Sequence, residues 1–209
     1  MKDSETIRVL VVDDHPALRE GIVSIVGRQT DMVVVAQAST AAEGIQKYGQ
    51  IRPDITLMDL RLPDQSGIDA LITIRAEFPA ARIIMLTTFE GDAEVHRALE
   101  SGARGYLLKS TPIESLVEEI RHVHAGKTRV GPEAASQVAE HLGDEKLSAR
   151  ECDVLFRIAS GKRNSDIAKV LSISEGTVKV HIRNIMGKLG ARDRSHAIAI
   201  AIRRGIIQL

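Results

Sequence analysis

This chain holds almost no cysteine, only modest proline and glycine, no long apolar run and no net charge. Each absence excludes something. The one cysteine, Cys152, cannot form an intramolecular disulfide, which fits a reduced compartment. Six prolines and sixteen glycines in 209 residues, with 44% hydrophobic residues, exclude a low-complexity or disordered chain. The longest apolar runs, such as Ala197 to Ile202, fall far short of the roughly 20 residues a membrane helix needs. The start, MKDSETIRVLVVDD, has a short apolar stretch that ends in acids, unlike a signal peptide. The expectation is a soluble, cytoplasmic protein with no membrane partner.

The zero net charge hides an asymmetry. Residues 1–144 hold 15 Lys and Arg against 22 Asp and Glu, net −7. Residues 145–209 hold 13 against 6, net +7. A basic C-terminal part on an acidic N-terminal part points to nucleic acid as a partner of the C-terminal end.

In the first two thirds, apolar β-rich runs alternate with amphipathic segments. The runs are Ile7–Val12, Val33–Ala38, Ile55–Met58, Ile83–Leu86 and Tyr106–Leu108. The helical segments are roughly Pro16–Gly27, Thr40–Ile51, Gly67–Phe78, Ala93–Ser101 and Ile113–Ala125. Five such repeats with near-continuous apolar strands predict a five-stranded parallel, doubly wound α/β sheet covered on both faces. The reactive crevice of such a fold lies beyond the carboxyl ends of the strands, where the strand order reverses. At those ends stand Asp13-Asp14, Asp59, Thr87-Thr88 and Lys109. A lone acid after a strand is usually a helix cap. Three acids on one edge repel each other unless a cation joins them, and hard oxygen ligands suit Mg²⁺. A carboxylate beside Mg²⁺ can attack a phosphoryl group, while a lysine and a hydroxyl hold the other phosphoryl oxygens. That assigns Asp59 as nucleophile and Asp13 and Asp14 as metal ligands.

The order and spacing of these residues resemble the receiver domain of a two-component response regulator over about residues 6–127. The matching features are Asp13-Asp14, Asp59 with Pro63 and Gly67 after it, Thr87-Thr88, and Gly105-Tyr106-Leu107-Leu108-Lys109. The resemblance implies a flavodoxin-like fold and phosphorylation of Asp59 by a histidine kinase. It implies a Mg²⁺ site of Asp13, Asp14, Asp59 and the Arg61 backbone carbonyl. It also implies that Lys109 pairs with the phosphoryl group, that Thr87 moves toward it and that Tyr106 swings inward. Many receivers carry proline directly after this lysine; here Ser110 follows, which leaves the peptide geometry open.

Gly126 to Asp144 reads as a connector, with a short helix over 132–142. Beyond it, Ser148-Ala149-Arg150-Glu151 is a capping box that opens a helix ending before Gly161. Asn164 or Ser165 is expected to cap a second helix, a turn follows at Ser172-Ile173, and Ser174 caps a third. Two short helices across a tight turn predict a helix-turn-helix. In the third helix Val178, Ile182, Ile185, Met186 and Leu189 form the inward stripe. Lys179, Val180, Arg183, Asn184 and Lys188 lie outside it, on the kind of basic face the major groove accepts.

This run resembles the LuxR-type helix-turn-helix over 146–209, through LSARE at 147–151, Gly161, Asn164, Ile167-Ala168, Leu171, ISEGTVKVH at 173–181 and Lys188-Leu189-Gly190. The whole chain therefore resembles a NarL/FixJ-family response regulator. The implied domains are a receiver at 1–127, a linker at 128–144 and an all-α four-helix DNA-binding domain at 145–209. By resemblance Lys179, Val180 and Arg183 face bases, and Thr177, His181 and Lys188 lie near phosphates. Alternation in AIAIAI at 197–202 favours a strand on pattern alone. The family instead has a fourth, dimerising helix there, with Ile198 and Ile202 one turn apart. A symmetric dimer, formed on phosphorylation, would read an inverted repeat. Phosphorylation is expected to shift domain contacts and dimerisation, with no chemistry beyond self-phosphorylation and autodephosphorylation at Asp59. Two other readings use the same residues. A Mg²⁺-dependent phosphatase would need acids spaced D-x-D and a substrate-binding cap, and the acids here are adjacent. A constitutive DNA-binding protein would leave the full acid, threonine and lysine set without a task.

Overall fold

The computed structural model describes residues 6–88, 91–131, 135, 139 and 144–207. The chain divides into two compact units, an N-terminal one built on a sheet and a C-terminal one built of helices.

The N-terminal unit has strands β1 (Ile7–Val12), β2 (Met32–Ala38), β3 (Ile55–Asp59), β4 (Ile83–Thr87), β5 (Gly105–Leu108) and β6 (Arg129–Val130). Between the first five and after the fifth run α1 (Pro16–Val26), α2 (Ala41–Ile51), α3 (Gly67–Glu77), α4 (Asp92–Glu100) and α5 (Ile113–His124). The strand order is β2-β1-β3-β4-β5-β6, and every pairing is parallel. Every residue of β3, β4 and β5 is buried. These strands read as unbroken apolar runs because helices cover both faces. Ile55, Leu57, Ile84, Leu86 and Leu107 form one side of this core with Leu116, Val117 and Ile120 of α5.

Register sets the site. Val12 pairs with Met58, Asp59 with Leu86, and Thr87 with Leu108. The residues that finish the strands therefore line up along one edge. The order reverses between β1 and β3, which lie side by side with β2 beyond β1, so Asp13 and Asp59 flank the switch point.

One feature of this unit differs from the sequence expectation. The sheet gains a sixth strand, β6, from the stretch read as linker. It is two residues long, too short for any periodicity to reveal. The helix expected over 132–142 falls outside the described residues except at Ala135 and Ala139. No cis peptide bond occurs among the described residues, so the bond after Lys109 is trans.

The C-terminal unit contains α6 (Ala149–Ala159), α7 (Asn164–Leu171), α8 (Glu175–Lys188) and α9 (Arg194–Arg203). The capping box forms as expected: Ser148 Oγ accepts from Glu151 N–H at 3.3 Å, and Glu151 Oε2 accepts from Ser148 N–H at 2.8 Å. Gly161 follows α6 at φ +76°, a conformation that favours glycine. The cap of α7 needs a correction. The N-cap is Arg163, not Asn164 or Ser165. Asp166 reaches back to Arg163 N–H at 3.4 Å, and the Asn164 side-chain oxygen instead accepts from Arg194 at 3.3 Å. The AIAIAI stretch lies within helix α9, against its strand-like pattern. Ala197, Ile200 and Ala201 share one buried face at helical spacing, and alanine is the strongest helix former. Val154, Leu155, Ile158, Ile167, Val178 and Ile185 make the rest of this small core.

Candidate functional site

The crevice is built from strand ends. Asp13, which follows β1, is fully buried; Asp59, the last residue of β3, is 2% exposed. Lys109, just after β5, has a side chain only 8% exposed. Its Nζ lies 2.7 Å from Asp13 Oδ2 and 2.7 Å from Asp59 Oδ2. The contact with Asp59 has hydrogen-bond geometry. Asp13 Oδ2, although close to the ammonium, accepts no well-aligned hydrogen bond. Asp59 Oδ1 accepts from Arg61 N–H at 3.2 Å. Thr87 is buried at the end of β4, and Thr88 beside it is exposed. Lys109 N–H donates to Thr87 O at 2.6 Å, which fixes the two strand ends together. Tyr106, expected to swing inward, is fully buried, with its ring already inside.

Charge is expensive here, and the protonation states show it. Burial pushes the Asp59 carboxyl above its usual value and outweighs the Lys109 ammonium and the Arg61 N–H. Burial also works against the Lys109 charge, but the carboxylates of Asp13 and Asp59 hold its pKa above normal. The crevice thus carries two buried carboxylates and one ammonium, short of positive charge. Asp13, Asp14, His15 and Asp59 each offer a ligand atom, all within 4.8 Å of one another. This acidic pocket is of the kind that binds a divalent cation.

Two contributors escape sequence reasoning. Asp64, in the loop after β3, accepts from Ala41 N–H and Ala42 N–H at 2.9 Å each. It ties that loop to the start of α2. Burial would raise its carboxyl, but these N–H groups prevail and hold it low. Its neighbour Pro63 marked the loop; nothing local marked the contact, 22 residues away in sequence. The second is His15, whose ring faces Asp14 and Asp13. Gly67 is needed for space: a Cβ there would sit 1.9 Å from the Asp59 carbonyl oxygen.

On α8 the structure separates an inner and an outer face. Val178, Ile185 and Leu189 are buried, with Ile182 and Met186 packed against them. Thr177, Lys179, Val180, Arg183 and Asn184 are exposed, and His181 is half-buried. Ser174 caps the helix by accepting from Thr177 N–H at 3.0 Å. Lys188, expected near a phosphate, is turned inward. Its Nζ donates to Glu151 Oε2 at 3.0 Å and to Lys146 O at 3.1 Å, bracing the capping box of α6. On α9, Ile202 is exposed, while Ile198 is half-buried against the core.

A doubly wound sheet with this acid and lysine edge, joined to a helix-turn-helix, defines a signalling receiver coupled to a nucleic-acid-binding module. Comparison with known proteins bears this out. Residues 9–121 match the response regulator receiver domain, and residues 145–201 match the bacterial regulatory proteins of the luxR family. The chain is 36% identical over 208 residues to the response regulator protein VraR of Staphylococcus aureus, covering 97% of this chain and 100% of that one. A two-component response regulator of the LuxR family from Aurantimonas is 40% identical. It covers 66% of this chain and 99% of its own, with a TM-score of 0.64. The response regulator ChrA of a heme-sensing two-component system is 34% identical, covering 97% and 99%, with a TM-score of 0.57. This chain belongs to the response regulators with a LuxR-type output domain: it is a DNA-binding transcription regulator of two-component signalling.

Proposed function

We propose that Asp59 is the phosphoacceptor and that its modification governs DNA binding by α8. The observation that carries this is Lys109 Nζ, 2.7 Å from both buried carboxylates. One ammonium between two acids is a receptor for a further anion once a cation offsets the acids. Asp13, Asp14, Asp59 and the Arg61 carbonyl are the residues to hold Mg²⁺. The buried Asp13 Oδ2, ion-paired with Lys109 at 2.7 Å but accepting no well-aligned hydrogen bond, fits such a ligand. When bound, the ion neutralises charge that develops on the phosphoryl oxygens.

The chain's own residues do the rest. An Asp59 carboxylate oxygen attacks the phosphorus of a phosphohistidine on the partner kinase. The O–P bond forms as the P–N bond breaks, and the histidine nitrogen leaves with its electron pair. The Lys109 ammonium then holds a phosphoryl oxygen, and the Thr87 hydroxyl, with Thr88 beside it, turns toward another. The buried Tyr106 ring follows that movement. The rearrangement biases a two-state receiver. It shifts domain contacts and favours a homodimer through Ile198 and Ile202, which reads an inverted repeat in double-stranded DNA. Lys179, Val180, Arg183 and Asn184 reach the major groove, with Thr177 and His181 toward phosphates; Lys188, paired with Glu151, supports α8 from behind. The receiver occupies 1–127, the linker 128–144 and the DNA-binding domain 145–209, in the cytoplasm where the DNA lies.

Incubation with a small acyl phosphate and Mg²⁺, read by intact mass, tests the acceptor. The wild type should gain one phosphoryl group, and Asp59→Ala should gain none. Equal labelling of both would place the chemistry elsewhere.

A further inference from the structure

His15 is the residue at the crevice to which none of these roles falls. It is the N-cap residue of α1, yet its side chain makes no capping hydrogen bond. Pro16 follows at the first helical position and removes one N–H that would need a cap. The imidazole instead turns to the acids. Nδ1 lies 2.6 Å from Asp14 Oδ1 and 3.2 Å from Asp13 Oδ1. The His15 N–H also donates to Asp13 Oδ1 at 2.8 Å, which pins the backbone beneath the ring.

Those contacts place the ring nitrogen among the carboxylate oxygens of the crevice. Asp13, Asp14, His15 and Asp59 each offer one ligand atom, all within 4.8 Å of one another. A cation placed among these atoms replaces the ring's contacts with the carboxylates by coordination. The ring is 65% exposed and free to make that adjustment.

We propose that His15 Nδ1 is a direct ligand of the divalent cation, making the site mixed nitrogen and oxygen. The inference rests on the cation reading above. It carries a consequence for metal choice. Carboxylates alone suit Mg²⁺ and Mn²⁺ alike, whereas imidazole adds affinity for first-row transition ions over Mg²⁺. The chain therefore accepts Mn²⁺ more tightly than a site of oxygens alone would.

The test uses the full chain at one fixed pH with Mn²⁺ as the probe. Pulsed electron paramagnetic resonance of the bound ion should show coupling to a ¹⁴N nucleus. Labelling histidine with ¹⁵N should change that signal, and His15→Gln should abolish it. The ratio of Mn²⁺ to Mg²⁺ affinity should fall by roughly tenfold in the variant. The ring is exposed, so the variant keeps the fold, and its circular dichroism checks this. Mn²⁺ that is bound by the wild type and weakened by Asp13→Asn, but shows no nitrogen coupling, would overturn the role of His15 and leave the cation site standing. Failure of Mn²⁺ to bind, or binding indifferent to Asp13→Asn, would overturn both.

Discussion

Asp59 sits in surroundings that oppose its charge, and the Lys109 ammonium and the Arg61 N–H do not outweigh them. Because burial raises its folded pKa, the ionised form weakens the fold at neutral pH. Asp59→Asn leaves Lys109 paired with Asp13, a neutral pair in place of an excess negative charge. The variant should therefore be more stable than wild type at pH 7, by about 1–2 kcal/mol. The sign fixes the pH window. The gain is present above the raised folded pKa, fades as pH falls through it, and is gone only below the ordinary value of 3.8, where Asp59 is protonated both folded and unfolded. Thermal melts from pH 7 to pH 4 check this; a gain that grew on acidification would contradict it. Asp13, Asp59 and Lys109 were legible in the sequence because each directly follows or ends an apolar run. Asp64 and the inward turn of Lys188 were not, since both depend on partners more than twenty residues away.

At the scale of elements, the turn from β3 into α3 carries the strictest demand. Gly67 N–H donates to Leu60 O at 2.9 Å, closing the chain back over Asp59. Its missing Cβ is what permits that approach. Gly67→Ala should cost about 3 kcal/mol, since backbone rather than a flexible side chain must yield. Urea unfolding measures it, and a loss below about 0.5 kcal/mol would show that the turn relaxes freely. Strands buried on both faces were easy to read as apolar runs. The two-residue β6 had no period to show. AIAIAI misleads because alternating small and large residues satisfy period two, while the helix packs Ala197, Ile200 and Ala201 together.

At the scale of the molecule, opposite charge is divided between the two halves, −7 before residue 145 and +7 from there on. The positive half carries the exposed face of α8. Lys179→Ala with Arg183→Ala should weaken binding to a duplex chosen by in vitro selection by about 1–3 kcal/mol per side chain and narrow its advantage over a random duplex. Titrations against both duplexes at one salt concentration measure that advantage; an unchanged advantage would remove this face from base readout. The helix-turn-helix was legible from its caps and spacing, while the identity of the first cap residue of α7 depended on Arg194, thirty residues away.

The central claim is that phosphoryl transfer to Asp59 controls association and DNA binding together. The most direct measurement is sedimentation of wild type and Asp59→Ala, with and without acyl phosphate and Mg²⁺, in the presence of a labelled duplex chosen by in vitro selection. The account predicts that only phosphorylated wild type shifts toward a dimer and binds the duplex more tightly. Equal binding and equal association in all four samples would contradict it.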